Sequence, residues 1–152
     1  MPMIELHAGV EINASAERVW RELADFTSYP QWNPFIPRIS SGQPRIGEPL
    51  KVRFEPPGAR AITLRVKVID VKPNHELRWR GHLLASRVIE GDHSFVIQLL
   101  EENRILFIQR EVFRGLLVPL FARTLASHVQ QGYEEMNLAL KQRCESSPAG
   151  VG

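Results

Sequence analysis

From residue 38 to residue 113 the chain reads as strand, turn, strand, and this run limits the fold more than any other feature. Turn residues stand at Ser41-Gly42, Pro56-Pro57-Gly58, Lys72-Pro73-Asn74-His75, Glu90-Gly91-Asp92 and Glu101-Glu102-Asn103. Short connections of this kind imply about six strands in an antiparallel meander. The stretches 62–71, 93–100 and 105–113 are long for strands, so the sheet must bend to cover its own apolar face. Val68-Ile69 breaks the alternation of Ile62, Leu64 and Val66 and predicts a bulge at such a bend.

The flanking segments add a strand and helices. Residues 4–12 alternate, with Ile4, Leu6, Ala8, Val10 and Ile12 on one face and Glu5, His7 and Glu11 on the other. Polar cap candidates at 13–17 precede Val19, Trp20, Leu23 and Ala24, whose spacing predicts an amphipathic helix of about three turns. Residues 27–37 carry prolines at 30, 34 and 37, which favour a short turn-helix-turn. Beyond Gly115, a helix starting near Pro119 carries Leu117, Leu120, Phe121, Leu125, His128, Gly132, Met136 and Ala139 at three- and four-residue steps. It is expected to run for roughly 25 residues, close to 40 Å. Residues 147–152 read as a frayed tail after one domain spanning 1–146.

Composition narrows the function classes. The formal charge of +2 arises from interleaved residues, without a basic run bearing aromatics, so nucleic-acid binding is not indicated. Cys144 is the only cysteine, which excludes an intramolecular disulfide and points to a reducing, cytoplasmic setting. No stretch is long and apolar enough for a membrane span, and the chain is expected to be soluble, as a monomer or a homodimer. The histidines at 7, 75, 82, 93 and 128 show no metal-ligand spacing, and phosphate-loop, dinucleotide and nucleophile-elbow signatures are missing, so neither metal nor cofactor is expected.

Three stretches carry a family resemblance: Val19-Trp20 through Leu23-Ala24-Asp25-Phe26 to Tyr29-Pro30-Gln31-Trp32-Asn33-Pro34-Phe35; Val71-Lys72-Pro73 leading into Leu77-Arg78-Trp79-Arg80-Gly81; and Phe113-Arg114-Gly115-Leu116-Leu117-Val118-Pro119 leading into Gly132-Tyr133-Glu134-Glu135-Met136-Asn137. Together with the element order, they resemble the START-like, or SRPBCC, superfamily in its polyketide cyclase/dehydrase-like branch. The resemblance runs from about residue 4 to 145. It implies an α+β helix-grip fold, β-α-α-β6-α, in which a curved seven-stranded antiparallel sheet wraps a long C-terminal helix and encloses a cavity. Members bind lipids, polyketides, hormones and quinones, so the site must decide the function.

Several residues could furnish such a site. His93 shares a face with Phe95, Ile97 and Leu99, and His128 falls in step with Phe121 and Leu125, so either imidazole could enter the cavity or serve as a hydrogen-bonded core or edge histidine. The strand at 105–113 must turn either Gln109 and Glu111 or Arg110 inward, and the sequence leaves both registers open. His93, Glu111 and Arg110 are therefore the catalytic candidates. The ligand-binding candidates are Trp32, Phe35, Trp79, His93, Phe95, Phe107, Gln109, Glu111, Phe113, Phe121, Leu125 and His128, an aromatic-rich set with few polar groups. Gly132 inside the long helix costs about 1 kcal/mol against alanine and predicts a close approach there.

Three functions follow. The first is binding or transport of a hydrophobic small molecule. The second is a cyclase- or dehydratase-like enzyme using His93 or Glu111 as base with Arg110 or His128 as polariser. The third is an interaction module in which exposed aromatics between Tyr29 and Pro37 dock a protein.

Overall fold

The computed structural model describes residues 1–83 and 88–146. The first strand, β1 (Met3–Ile12), buries Leu6, Ala8 and Ile12 and leaves Glu5, His7 and Glu11 in solvent, as the alternation requires. The remaining strands are β2 (Arg38–Ile39), β3 (Pro49–Phe54), β4 (Ile62–Lys72), β5 (Glu76–Leu83), β6 (Ile89–Glu101) and β7 (Arg104–Arg114). All pairs are antiparallel and the sheet order is β1-β7-β6-β5-β4-β3-β2, so a meander is completed by the first strand lying beside the last. The ladder between β4 and β5 slips between Val68 and Asp70, where the broken alternation placed a bulge.

One turn falls elsewhere than its composition suggests. Glu90-Gly91-Asp92 lies inside β6, and β5 ends at Leu83. Asp92 is held in the sheet by Arg78 of the neighbouring strand, Nε and Nη2 donating at 2.7 and 2.6 Å, and by Arg80 at 3.1 Å. Gly91 pairs with Gly81 and lies beneath the Glu111 and Phe113 side chains. Glycine and two acids thus serve cross-strand pairing here instead of a reversal.

Helix α1 (Ala16–Ala24) is capped by Ser15, whose Oγ accepts the Arg18 N–H at 3.1 Å. A 3-10 turn (Phe26–Ser28) leads into the single-turn helix α2 (Tyr29–Trp32). Asn33 Oδ1 then accepts the backbone N–H groups of Phe35 and Ile36 at 3.0 and 2.8 Å, reversing the chain so that both side chains enter the core. Tyr29, Phe35 and Ile36 are fully buried, and Trp32 packs its ring 5.0 Å from Tyr29. The expectation of an exposed aromatic docking segment is therefore overturned, because these rings are consumed in the core.

The final helix has three parts: α3 (Val118–Thr124), a π turn (Leu125–Val129) and α4 (Gln130–Ser146). Helix α4 buries Tyr133, Met136, Leu140 and Cys144. Gly132 meets Phe35 so closely that a methyl group there would collide with the ring. The close approach expected at this glycine comes from the segment after α2. The tail expected at 147–152 lies outside the described residues.

Candidate functional site

The β6–β7 ladder sets His93 opposite Glu111 and Phe95 opposite Gln109. All four face inward. Arg110 faces outward, where its guanidinium grips Glu5 of β1 through Nε at 2.7 Å and Nη2 at 3.1 Å. The register that would bring Arg110 inside is not formed, and this residue is removed from the interior.

A cavity of about 480 Å³ lies between the concave face of β3 to β7 and the π-turn region of the final helix. Its walls include Phe35, Leu64, Val66, Trp79, Phe113 and Leu125, with Phe121, Arg60 and Thr124 also contributing. Glu111 is the acidic group among its lining residues, in a wall that is otherwise mostly apolar. Gly91 makes room for it, since a methyl group at this position would collide with Oε2 of Glu111.

Glu111 is held from two sides. The hydroxyl of Tyr133, a buried residue of α4, donates to its Oε1. His93 Nδ1 lies 3.3 Å from the same oxygen, without the alignment of a hydrogen bond. Burial pushes the Glu111 carboxyl up from 4.5 to about 7, against the opposing effect of the Tyr133 hydrogen bond. Burial drives His93 the other way, from 6.5 down to about 3. The pair is therefore not an ion pair at neutral pH, because the imidazole is neutral. The Tyr133 phenol is raised well above 10, first by burial and then by the Glu111 charge, and stays protonated.

A chain of amides fixes the imidazole tautomer. Gln109 Nε2 donates to Asn137 Oδ1 at 2.8 Å and to the Tyr133 carbonyl at 3.3 Å, so its Oε1 is the acceptor facing His93 Nε2 at 3.0 Å. Nε2 consequently carries the proton and Nδ1 presents a lone pair toward Glu111. A protonated Glu111 relieves the opposition of lone pair and carboxylate. The ring itself is fixed by stacking on Phe95, at 4.2 Å and 20°, and by edge contacts with Trp79 and Tyr133.

Of the residues expected at the site, Phe35, Trp79, Glu111, Phe113, Phe121 and Leu125 line the cavity. His93, Gln109, Phe95 and Phe107 are buried behind that wall. Trp32 lies apart from the cavity, its Nε1 donating to Ser28 Oγ at 3.3 Å. His128 does not line the cavity either, because its Nδ1–H is taken by the Pro57 carbonyl at 2.9 Å. Tyr133, Asn137 and Gly91 belong to the site and were not among the expected residues. For Tyr133 a signal existed, since Tyr133, Met136 and Leu140 fall at helical spacing. Among the described residues, no three His, Cys, Asp or Glu side chains gather as a metal site requires. No described helix is long and apolar enough to cross a membrane.

The family described as polyketide cyclase / dehydrase and lipid transport matches residues 3–145. The chain belongs to this family. Among solved structures, the Zhui aromatase/cyclase from a Streptomyces species is similar with a TM-score of 0.79 and 19% identity, covering 99% of each chain. Norcoclaurine synthase from Thalictrum flavum superposes with a TM-score of 0.74 at 15% identity, over 97% of this chain and 98% of that one. At these identities the likeness concerns the fold. No match is found among the curated proteins.

Proposed function

We propose that the chain binds a hydrophobic small molecule in the cavity beneath the sheet, oriented by a single polar end at Glu111 and Tyr133. The carrying observation is the contrast within the wall: mostly aliphatic and aromatic side chains, with Arg60, His82 and Thr124 also lining it, and one carboxyl where the ligand's polar group would sit. An occupant with a hydroxyl or carbonyl at one end and a ring or chain elsewhere fits this division, since an unpaired polar group in such a wall would be costly. Family membership supports the ligand class.

A second reading is favoured by one further observation. A carboxyl held near pH 7 exchanges its proton readily at physiological pH, and it is raised there by burial inside a cavity. With the neutral His93 behind it and the Tyr133 hydroxyl donating to it, Glu111 would take a proton from a ligand carbon or hydroxyl and return it to a ligand oxygen. A cyclisation or dehydration needs those two transfers at a dry site.

Native mass spectrometry of the gently purified chain tests the first reading: a retained apolar molecule is expected. Failure of any apolar fluorescent dye to bind would overturn both readings. Glu111→Gln then separates them. Binding retained with turnover lost supports catalysis, while unchanged handling of every carbonyl compound that binds supports carriage alone.

A further inference from the structure

Five of the eleven large apolar side chains exposed among the described residues gather at one end of the molecule. Leu116 and Leu120 are 67% and 73% exposed, and Leu117 and Phe121 are each 37% exposed. Met3, exposed at 58%, adjoins them, because it pairs with Arg114 and the Gly115 N–H bonds to the Pro2 carbonyl at 3.1 Å. Solvent exposure of this many large apolar groups in one patch marks an interaction surface.

The backbone beneath the patch is pinned, so these side chains cannot fold away. Leu117 N–H donates to the Val88 carbonyl at 3.2 Å and Val118 N–H to the Gly115 carbonyl at 3.2 Å. Gly115 has φ +145 and packs so tightly on Val88 that no side chain fits there. Pro119 then stiffens the first turn of α3.

Cations frame the apolar groups. Arg114 immediately precedes the patch, Arg123 follows Phe121 by two residues, and Arg60 shares the cavity wall with Phe121. All three are exposed, and none is held in an ion pair among the described residues. The acidic residue opposite Arg114 in the ladder, Glu90, is turned toward Arg80 at 3.5 Å.

We infer that this end of the molecule docks on an anionic lipid surface, with Leu116, Leu117 and Leu120 entering the acyl boundary and Arg114, Arg123 and Arg60 meeting the head groups. Protruding leucines ringed by free guanidinium groups match the layering of such a surface. A second copy of the chain is the poorer fit, since a twofold contact through this patch would bring the arginines of both copies together. Phe121 belongs both to the patch and to the cavity wall, so an apolar occupant would pass between bilayer and cavity without crossing water. The inference stands whether or not the occupant is chemically changed.

Flotation of the purified chain with vesicles decides it, using phosphatidylcholine alone or with about 30% phosphatidylserine. The chain is expected to float with the anionic vesicles, weakly with the neutral ones, and less as salt is raised. The double variant Leu116→Glu/Leu120→Glu is expected to lose vesicle binding by about tenfold or more. Its far-UV circular dichroism and its binding of an apolar dye should be unchanged. Arg114→Gln/Arg123→Gln should lose the preference for anionic vesicles while keeping the fold. Absence of flotation with either vesicle would overturn the inference, as would a double variant that binds like the parent. It would equally fall if sedimentation showed a dimer that Leu116→Glu/Leu120→Glu dissolves and no vesicle binding.

Discussion

Glu111 and His93 are displaced in opposite directions by the same burial, and their contributions to stability oppose each other. The native Glu111 keeps its proton to about 7 while the unfolded chain loses it near 4.5, so this group stabilises the fold at low pH and ceases to do so as pH rises through that window. His93 is neutral in the fold down to about 3, whereas the unfolded imidazole binds a proton below 6.5. Its contribution therefore grows as pH rises from about 3 to 6.5. Between 4.5 and 6.5 the two slopes, each on the order of 1.4 kcal/mol per pH unit at most, offset one another. The wild-type urea midpoint is expected to be nearly flat there, and Glu111→Gln should expose the rising histidine slope. A Glu111→Gln profile that stays flat would show that the two groups do not titrate against each other. This pair was half legible in the sequence. Which residues of β7 face inward depends on the hairpin, where Glu101 pairs with Arg104 and the ladder slips before Leu99. An unbroken ladder from that turn would set Arg110 opposite Phe95. The slip at Leu100 brings Gln109 and Glu111 inside, and a single bulged residue leaves no mark in the alternation of a strand apolar on both faces.

At the scale of elements, the final helix shows what periodicity can and cannot reveal. The helix start and its length were readable from Pro119 and the spaced apolar residues, but the π turn at 125–129 was not. A π turn inserts one residue and rotates the following face by about 100°. The stripe drawn through Leu117, Leu120, Phe121, Leu125, His128, Gly132, Met136 and Ala139 thus holds only in part: Gly132 and Met136 are buried on α4, but Leu117, Leu120 and Phe121 before the π turn are exposed, and Tyr133, Asn137 and Leu140 complete the buried face. The contact of Gly132 with Phe35 belongs to that buried face. Replacing this glycine by alanine would gain about 1 kcal/mol of helix propensity. The new methyl would, however, collide with Phe35, whose ring is also fixed at 5.5 Å by Tyr133 and at 5.6 Å by Phe54. Overpacking should win. Gly132→Ala is expected to lower stability by about 1–3 kcal/mol in urea denaturation, and a stabilised variant would mean that the ring yields freely. Gly91→Ala should behave differently, because the clashing atom is the Glu111 carboxylate, the mobile end of a side chain. Stability should change little while the carboxyl leaves its contact with Tyr133, which a shifted Glu111 titration in carbon-13 NMR would report.

For the molecule as a whole, the meander and the last helix follow from turn spacing and periodicity, whereas the cavity is a remainder that no single residue announces. It exists because the sheet curves further than its inner side chains can fill. Leu64 and Val66 on β4 face the space without reaching across it, and Phe121 and Leu125 meet it from the helix side. A larger side chain at Leu64 should then occupy volume that is free, in contrast to Gly132, where none is. Leu64→Trp is expected to leave the thermal midpoint unchanged or slightly raised, since the indole gains contacts in a cavity of about 480 Å³ without displacing a packed neighbour. An apolar fluorescent dye should at the same time bind at least about tenfold more weakly, because the indole removes apolar contact area that the dye would otherwise bury. A midpoint lowered by several degrees would mean that the wall is already packed. Retained dye affinity would place the binding site elsewhere, and with it the role assigned to Glu111.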